Sequence, residues 1–198
     1  MESKEKKQAK KTAEWNVGIN RLNKMSEITV CDYSNPAHLQ AVALLINAYI
    51  ADEMGGGNPL SQEEQQRLLE GLSNHPKSIV LLAYEATGVF TGLLTAFENF
   101  STFTAMPMIN IHDVFVLKEH RGKGVGRQLM NAIVGEATKR KCSRLTLEVR
   151  KDNHNAQILY RSLGFEEAEQ GMFYWRKYLK HTGEDIKKIA NKYKKNSF

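Results

Sequence analysis

Apolar positions along this chain change their period several times, and each change marks a new element. Glu27 to Tyr33 alternates apolar and polar side chains, which predicts a short strand. From Asn35-Pro36 the period turns helical: Leu39, Val42, Ile46 and Ile50 recur on one face, with Asn35 as N-cap and Pro36 in the first turn. Gly55-Gly56-Gly57-Asn58-Pro59 ends that helix in a loop. Ser61, followed three residues later by Glu64, has the form of a capping box and opens a second helix through about Leu72.

Three strand-like runs follow: Ser78 to Tyr84, Val89 to Phe97, and Met108 to Leu117, with a tight turn at Thr87-Gly88 between the first two. The third run is apolar on both faces. Strict alternation places Ile109, Ile111 and Phe115 on one side, with Val114 and Val116 on the other, as in a central, covered strand. A helix is expected from about Gly124 to Lys141, carrying Val125, Leu129, Ile133 and Ala137 at four-residue spacing. Arg144 to Val149 reads as a strand, and Asn153 to Leu163 as a short helix closed by Gly164. Two last strands are expected near Phe165 to Ala168 and Met172 to Tyr178. The order is that of one α/β domain: a mixed, mainly antiparallel sheet with helices on both faces. Met108 to Val149 forms a right-handed parallel βαβ crossover within it.

Composition adds limits. The 198 residues are 41% hydrophobic and 25% charged, which is ordinary for a globular chain. No apolar run approaches the roughly 18 residues of a membrane span, so no membrane partner is expected. Two cysteines, Cys31 and Cys142, are too few for a disulfide framework and are read as reduced thiols of a cytoplasmic protein.

The net charge of +6 resides in the ends. Residues 1–24 carry seven Lys/Arg against three acids and residues 177–198 seven Lys against two; the stretch between them is net −3. That is a poor footprint for nucleic acid, which needs a basic patch on the folded domain, so no specific nucleic-acid partner is expected. The expected organisation is a basic extension over 1–24, a domain over 25–180 and a basic tail over 181–198, with Met25 an alternative start.

The chemistry concentrates in Arg121-Gly122-Lys123-Gly124-Val125-Gly126-Arg127, between a central strand and a long helix. Glycines there permit a sharp turn and close approach of backbone N–H groups to a ligand, and the helix N-terminus adds about half a positive charge. That is a pyrophosphate cradle, supplemented by three cations. Spacing excludes two familiar versions. The lysine is not followed by Ser or Thr, as a Walker A loop requires, and the glycines run G-x-G-x-G rather than G-x-G-x-x-G.

Arg121-x-x-Gly124-x-Gly126 after Val114-Phe115-Val116 resembles the acetyl-CoA motif of the GNAT superfamily of N-acetyltransferases. About 30 residues on, Asn153-x-x-Ala156-x-x-Leu159-Tyr160, closed by Gly164-Phe165, resembles the family's next motif. The likeness covers about residues 26 to 178. It implies a GNAT-like fold and acetyl-CoA as co-substrate. The backbone of Val114, Phe115 and Val116 would hold the pantetheine arm in the manner of an added strand. The loop of Arg121, Gly122, Lys123, Gly124, Val125, Gly126 and Arg127 would hold the pyrophosphate. Asn153 would bond the pantetheine or orient its own helix, a role that a plain N-cap also explains. Tyr160 would be the general acid for the departing thiolate.

Transfer to an amine also needs a base or water chain to remove a proton. His112 is the leading candidate; Glu98 and Glu148 are weaker ones on neighbouring strands. A strand's alternation predicts that His112 and Asp113 point to opposite faces. No His/Cys/Asp/Glu set has metal-ligand spacing, so no metal is expected.

Phe100-Ser101-Thr102-Phe103 is similar to a segment of polyamine-type members, but His112 stands where that branch usually has Glu. The expected reaction is direct attack by an amine on the thioester carbonyl, through a tetrahedral intermediate. Backbone N–H near Val116 would polarise that carbonyl. The acceptor is expected to be a small primary amine. A peptide or protein amine and an aminoglycoside-like compound stay open, as do a non-catalytic acyl-CoA-binding regulatory domain and a homodimer.

Overall fold

The computed structural model describes residues 26–167 and 174–177. Along the chain run β1 (Glu27–Val30), α1 (Pro36–Ala51), α2 (Gln62–Asn74), β2 (Ser78–Tyr84), β3 (Phe90–Ser101) and β4 (Met106–Val116). A single 3₁₀ turn (Lys118–His120) leads to α3 (Val125–Lys139), β5 (Leu145–Leu147) and α4 (His154–Ser162). The five strands form one sheet in the order β1-β2-β3-β4-β5. Neighbours are antiparallel except β4 and β5, which are parallel and joined by the α3 crossover.

Local chemistry explains the helix starts. The Asn35 side chain accepts from the Ala37 N–H at 2.9 Å, with Pro36 at the first helical position, where its missing donor costs nothing. At α2 the reciprocal box forms: the Glu64 N–H donates to the Ser61 hydroxyl, and the Ser61 N–H donates to the Glu64 carboxylate.

Helices cover both faces of the sheet. Val42, Leu45 and Ile46 of α1 and Leu72 of α2 meet Val80, Leu82, Leu93 and Phe115 on one face. On the other, Leu129, Met130 and Ile133 of α3 are buried against Leu81, Leu94, Ile109 and Ile111. Leu159, Tyr160 and Leu163 of α4 pack against this second cluster. Each fully buried aliphatic side chain contributes roughly 1.5–3 kcal/mol through removal from water.

One irregularity corrects two expectations about β4. Thr95 of β3 pairs with Asp113, but the next residue, Ala96, pairs with Ile111, which leaves His112 without a partner. This β-bulge resets the alternation. Ile109 and Ile111 therefore share the α3 face with Val114 and Val116, and Phe115 lies on the α1 face. His112 and Asp113 both lie on the α1 face rather than on opposite ones: the His112 ring meets Phe97 edge-on at 4.9 Å, and Asp113 accepts a hydrogen bond from Thr95.

Other differences are local. The β3–β4 hairpin is longer than alternation predicted, and Phe100 and Phe103 are 63% and 95% exposed at its tip. The two last expected strands do not appear among the described residues, 165–167 and 174–177; the rest of both lies outside them. The expected end segments, 1–24 and 181–198, lie outside as well. No helix among the described residues is long and apolar enough to cross a membrane.

Candidate active site

The candidate site begins where the sheet comes apart. β5 pairs with β4 only as far as Ile111–Leu147, while β4 runs on to Val116. The edge of β4 from His112 to Val116 is therefore left without a strand partner among the described residues. A cavity of about 780 Å³ opens at this divergence. Its walls are β4, the end of α1, the turn into α3, the segment after β5, and α4.

The glycine loop forms the floor of one half. Gly122 and Gly124 take φ values of +73° and +87°, a region that penalises any side chain. Gly124 is the N-cap of α3 and brings no side-chain acceptor, so the first-turn amides of α3 have no internal partner. Gly124, Val125, Gly126 and Arg127 line the cavity there, as do Arg121 and Gly122. Lys123, expected as a third cation, is exposed and does not line it.

The two arginines are engaged. The Arg127 guanidinium donates to the Ser162 hydroxyl at 2.7 Å, tying α3 to α4. Arg121 donates through Nε to the Val116 carbonyl at 2.9 Å and through Nη2 to Asp52 at 2.7 Å. Val114, Phe115 and Val116 all contribute to the wall.

α4 supplies the opposite wall. Asn153 caps it, its side chain accepting from the Ala156 N–H at 3.2 Å, and also borders the cavity. Two turns on, Tyr160 is half-buried and lines the cavity, its ring 6.0 Å from that of Phe165. Its hydroxyl has no hydrogen-bond partner among the described residues. Burial, with a smaller contribution from Tyr49, pushes the phenol up to about 12. A group so placed holds its proton across the neutral range.

Other lining residues were not apparent from the sequence: Tyr49, Asp52, Glu53 and Met54 come from the end of α1, and Arg150 from beyond β5. Burial raises the Tyr49 phenol, reinforced by the negative charges of Asp113 and Asp52 and opposed by Arg150. His112 also lines the cavity. Beneath it, burial holds the Asp113 carboxyl above its usual range, against the opposing effects of the Thr95 hydroxyl and of His112.

The two weaker base candidates separate. Glu148 borders the cavity. Glu98 does not; it is held by Lys77 and Arg140 (2.9 Å), hydrogen bonds that keep its carboxyl below the usual range. Among the described residues no group of three potential metal ligands comes together.

Residues 42–165 match the profile of the acetyltransferase (GNAT) family. An uncharacterized N-acetyltransferase, YhfO of Bacillus subtilis (strain 168), is 33% identical over 96 residues, 48% of this chain and 63% of that protein. The chain thus spans less than two thirds of that relative's length. The crystal structure of a probable acetyltransferase superposes with a TM-score of 0.68 at 22% identity, covering 78% of this chain and 99% of that one. The structure of AAC(6')-Iy, in complex with a bisubstrate analogue, CoA-S-monomethyl-acetylneamine, gives a TM-score of 0.62 at 22% identity over 77% of this chain and 99% of that one. At such identities the structural likeness concerns the fold.

Proposed function

The chain belongs to the acetyltransferase (GNAT) family, and from that premise we propose that it transfers an acetyl group from acetyl-CoA to a small primary amine in the cytoplasm. The observation that carries the reading is the cavity itself. It joins an unpaired strand edge, a glycine-capped helix N-terminus and a half-buried phenol in one continuous space.

The residues fit the donor. The edge of β4 from His112 to Val116 offers an extended peptide-like arm a place to add as a strand. The first-turn amides of α3 suit a pyrophosphate, with partial positive charge and unpaired donors. Acetyl-CoA supplies the activated acyl group; the protein supplies orientation and proton movements. Backbone N–H groups of β4 near Val116 polarise the thioester carbonyl. His112 accepts a proton as the amine nitrogen forms its bond to the acyl carbon. Tyr160 donates its proton to sulfur as the carbon–sulfur bond breaks.

The acceptor half favours a cation. Arg150, on that side, already pairs with Asp152 at 2.7 Å. Glu53 and Glu148 line the cavity, and neither carboxylate has a salt-bridge partner among the described residues; Arg150 reaches only the Glu53 carbonyl, at 3.5 Å.

The reading is tested by thermal melting of the full chain with acetyl-CoA. A ligand that binds the native state raises the melting temperature, by an amount growing with concentration. Absence of a shift at millimolar acetyl-CoA overturns it.

A further inference from the structure

The contact between Asp52 and Arg121 joins segments 69 residues apart, and the site's reaction chemistry does not use it. Asp52 is the C-cap of α1 and organises the turn that follows. Its Oδ1 accepts from the Met54 N–H at 3.1 Å, and its carbonyl accepts from the Gly55 and Gly56 N–H groups at 2.9 and 2.8 Å. The Gly57 N–H closes back on the Ile50 carbonyl at 2.8 Å. The turn is so tight that a Cβ on Gly55 would stand 2.0 Å from the Tyr49 carbonyl oxygen. Asp52, Glu53 and Met54 thus stand as one braced unit on the acceptor side of the cavity.

Oδ2 of the same carboxylate faces away from that turn and takes the Arg121 guanidinium at 2.7 Å. Arg121 lies over the Phe115 ring, 5.5 Å from its centroid, and reaches the Val116 carbonyl through Nε. One planar group therefore bonds the acceptor-side turn, the end of β4 and, through its own backbone, the glycine loop. A guanidinium has five N–H donors. Asp52 and Val116 take two, leaving three for an anion on that loop. A lysine has no such geometry.

We infer that Asp52 is a positioning residue: acting through Arg121, it couples the turn 52–57 on the acceptor side to pyrophosphate binding on the glycine loop. This rests on the acyl-CoA reading above. Pyrophosphate contacts fix the Arg121 fork; the fixed fork holds Asp52, and Asp52 holds the turn. Coupling is reciprocal, so loosening the turn weakens CoA binding by the same factor.

The experiment combines amide hydrogen exchange with calorimetry on the full chain, using CoA and, as a probe without pyrophosphate, pantetheine. In the wild type, CoA slows exchange at 52–57 and pantetheine does not. Asp52→Asn abolishes that CoA-dependent slowing and weakens CoA binding about fivefold, at the low end of measured couplings. In an Arg121→Gln background the same Asp52→Asn change has no further effect, because residues acting through one contact are non-additive.

Equal losses in both backgrounds, or CoA-dependent slowing retained in Asp52→Asn, overturn the inference while leaving the acyl-CoA reading intact. Failure of the wild type to bind CoA overturns that reading, and the coupling with it. Should Asp52→Asn not fold, Arg121→Gln must by itself abolish the slowing at 52–57, and retention there overturns the coupling.

Discussion

His112 and Asp113, adjacent in sequence, leave β4 on the same face, because the bulge at His112 interrupts the pairing with β3. The imidazole lies against Phe97 while the carboxylate below it accepts from Thr95. An extended strand without the bulge would put one of them on the α3 side. With it, an imidazole lines the cavity beside the Asp113 carboxyl.

His112→Gln tests the proposed base. The amide keeps the ring's approximate volume and one donor but has no basic nitrogen to take the amine's proton. It should lower kcat about 10²- to 10⁴-fold and leave acetyl-CoA affinity unchanged. A wild-type kcat assigns His112 to packing.

Tyr160 gives the complementary test. A phenol held at about 12 stays protonated, and hence able to donate, throughout the range in which amines are assayed. Tyr160→Phe should leave acetyl-CoA affinity unchanged and reduce kcat by about 10²-fold or more. The wild-type rate should show no alkaline limb from this group below about pH 11, since its acid form is lost only as pH rises through about 12.

Gly124 separates binding from folding. A Cβ there meets nothing within 4 Å, but the φ of +87° strains any other residue, at a cost of roughly 1–2 kcal/mol. Gly124→Val should lower the melting temperature modestly while removing the shift that acetyl-CoA produces, by crowding the loop amides. Full retention of the shift would remove the loop from the cofactor site.

Glu98 should matter to stability alone. Its carboxylate bridges Lys77 and Arg140 and so links β3 to α3. Glu98→Gln should cost about 1 kcal/mol at neutral pH and leave kcat unchanged. Because the folded state holds this carboxyl below its ordinary value, its contribution is present at neutral pH. It is lost as pH falls below about 4.5 through the lowered value. Urea melts at pH 7 and pH 3.5 check this: the gap between wild type and variant should narrow at the lower pH.

Much of this was legible in the sequence, wherever short-range rules decide. The caps at Asn35 and Ser61, the turn at Gly88 and the glycine loop before α3 depend on neighbours within four residues. The bulge does not: the run from Ile109 to Val116 is apolar enough on both faces to hide a one-residue reset, and only pairing with β3 reveals it. Likewise nothing in the order of residues brings Asp52 to Arg121 or Tyr49 to the cavity of Tyr160; those meetings follow from how α1 crosses the sheet. Glu98 and Glu148 looked equivalent as strand carboxylates, and their neighbours in space separate them.

Transfer of an acetyl group from acetyl-CoA to an amine is the reaction proposed for this cavity. Its most direct test is thiol release from acetyl-CoA by the full chain across a panel of primary amines that includes diamines, an aminoglycoside, amino acids and a peptide. Thiol release above the amine-free background is expected with at least one cationic amine, matched by an equal amount of N-acetylated product and depressed about 10²-fold in Tyr160→Phe. Release that no amine increases, from a protein that binds acetyl-CoA, would contradict it and leave a non-catalytic acyl-CoA-binding domain.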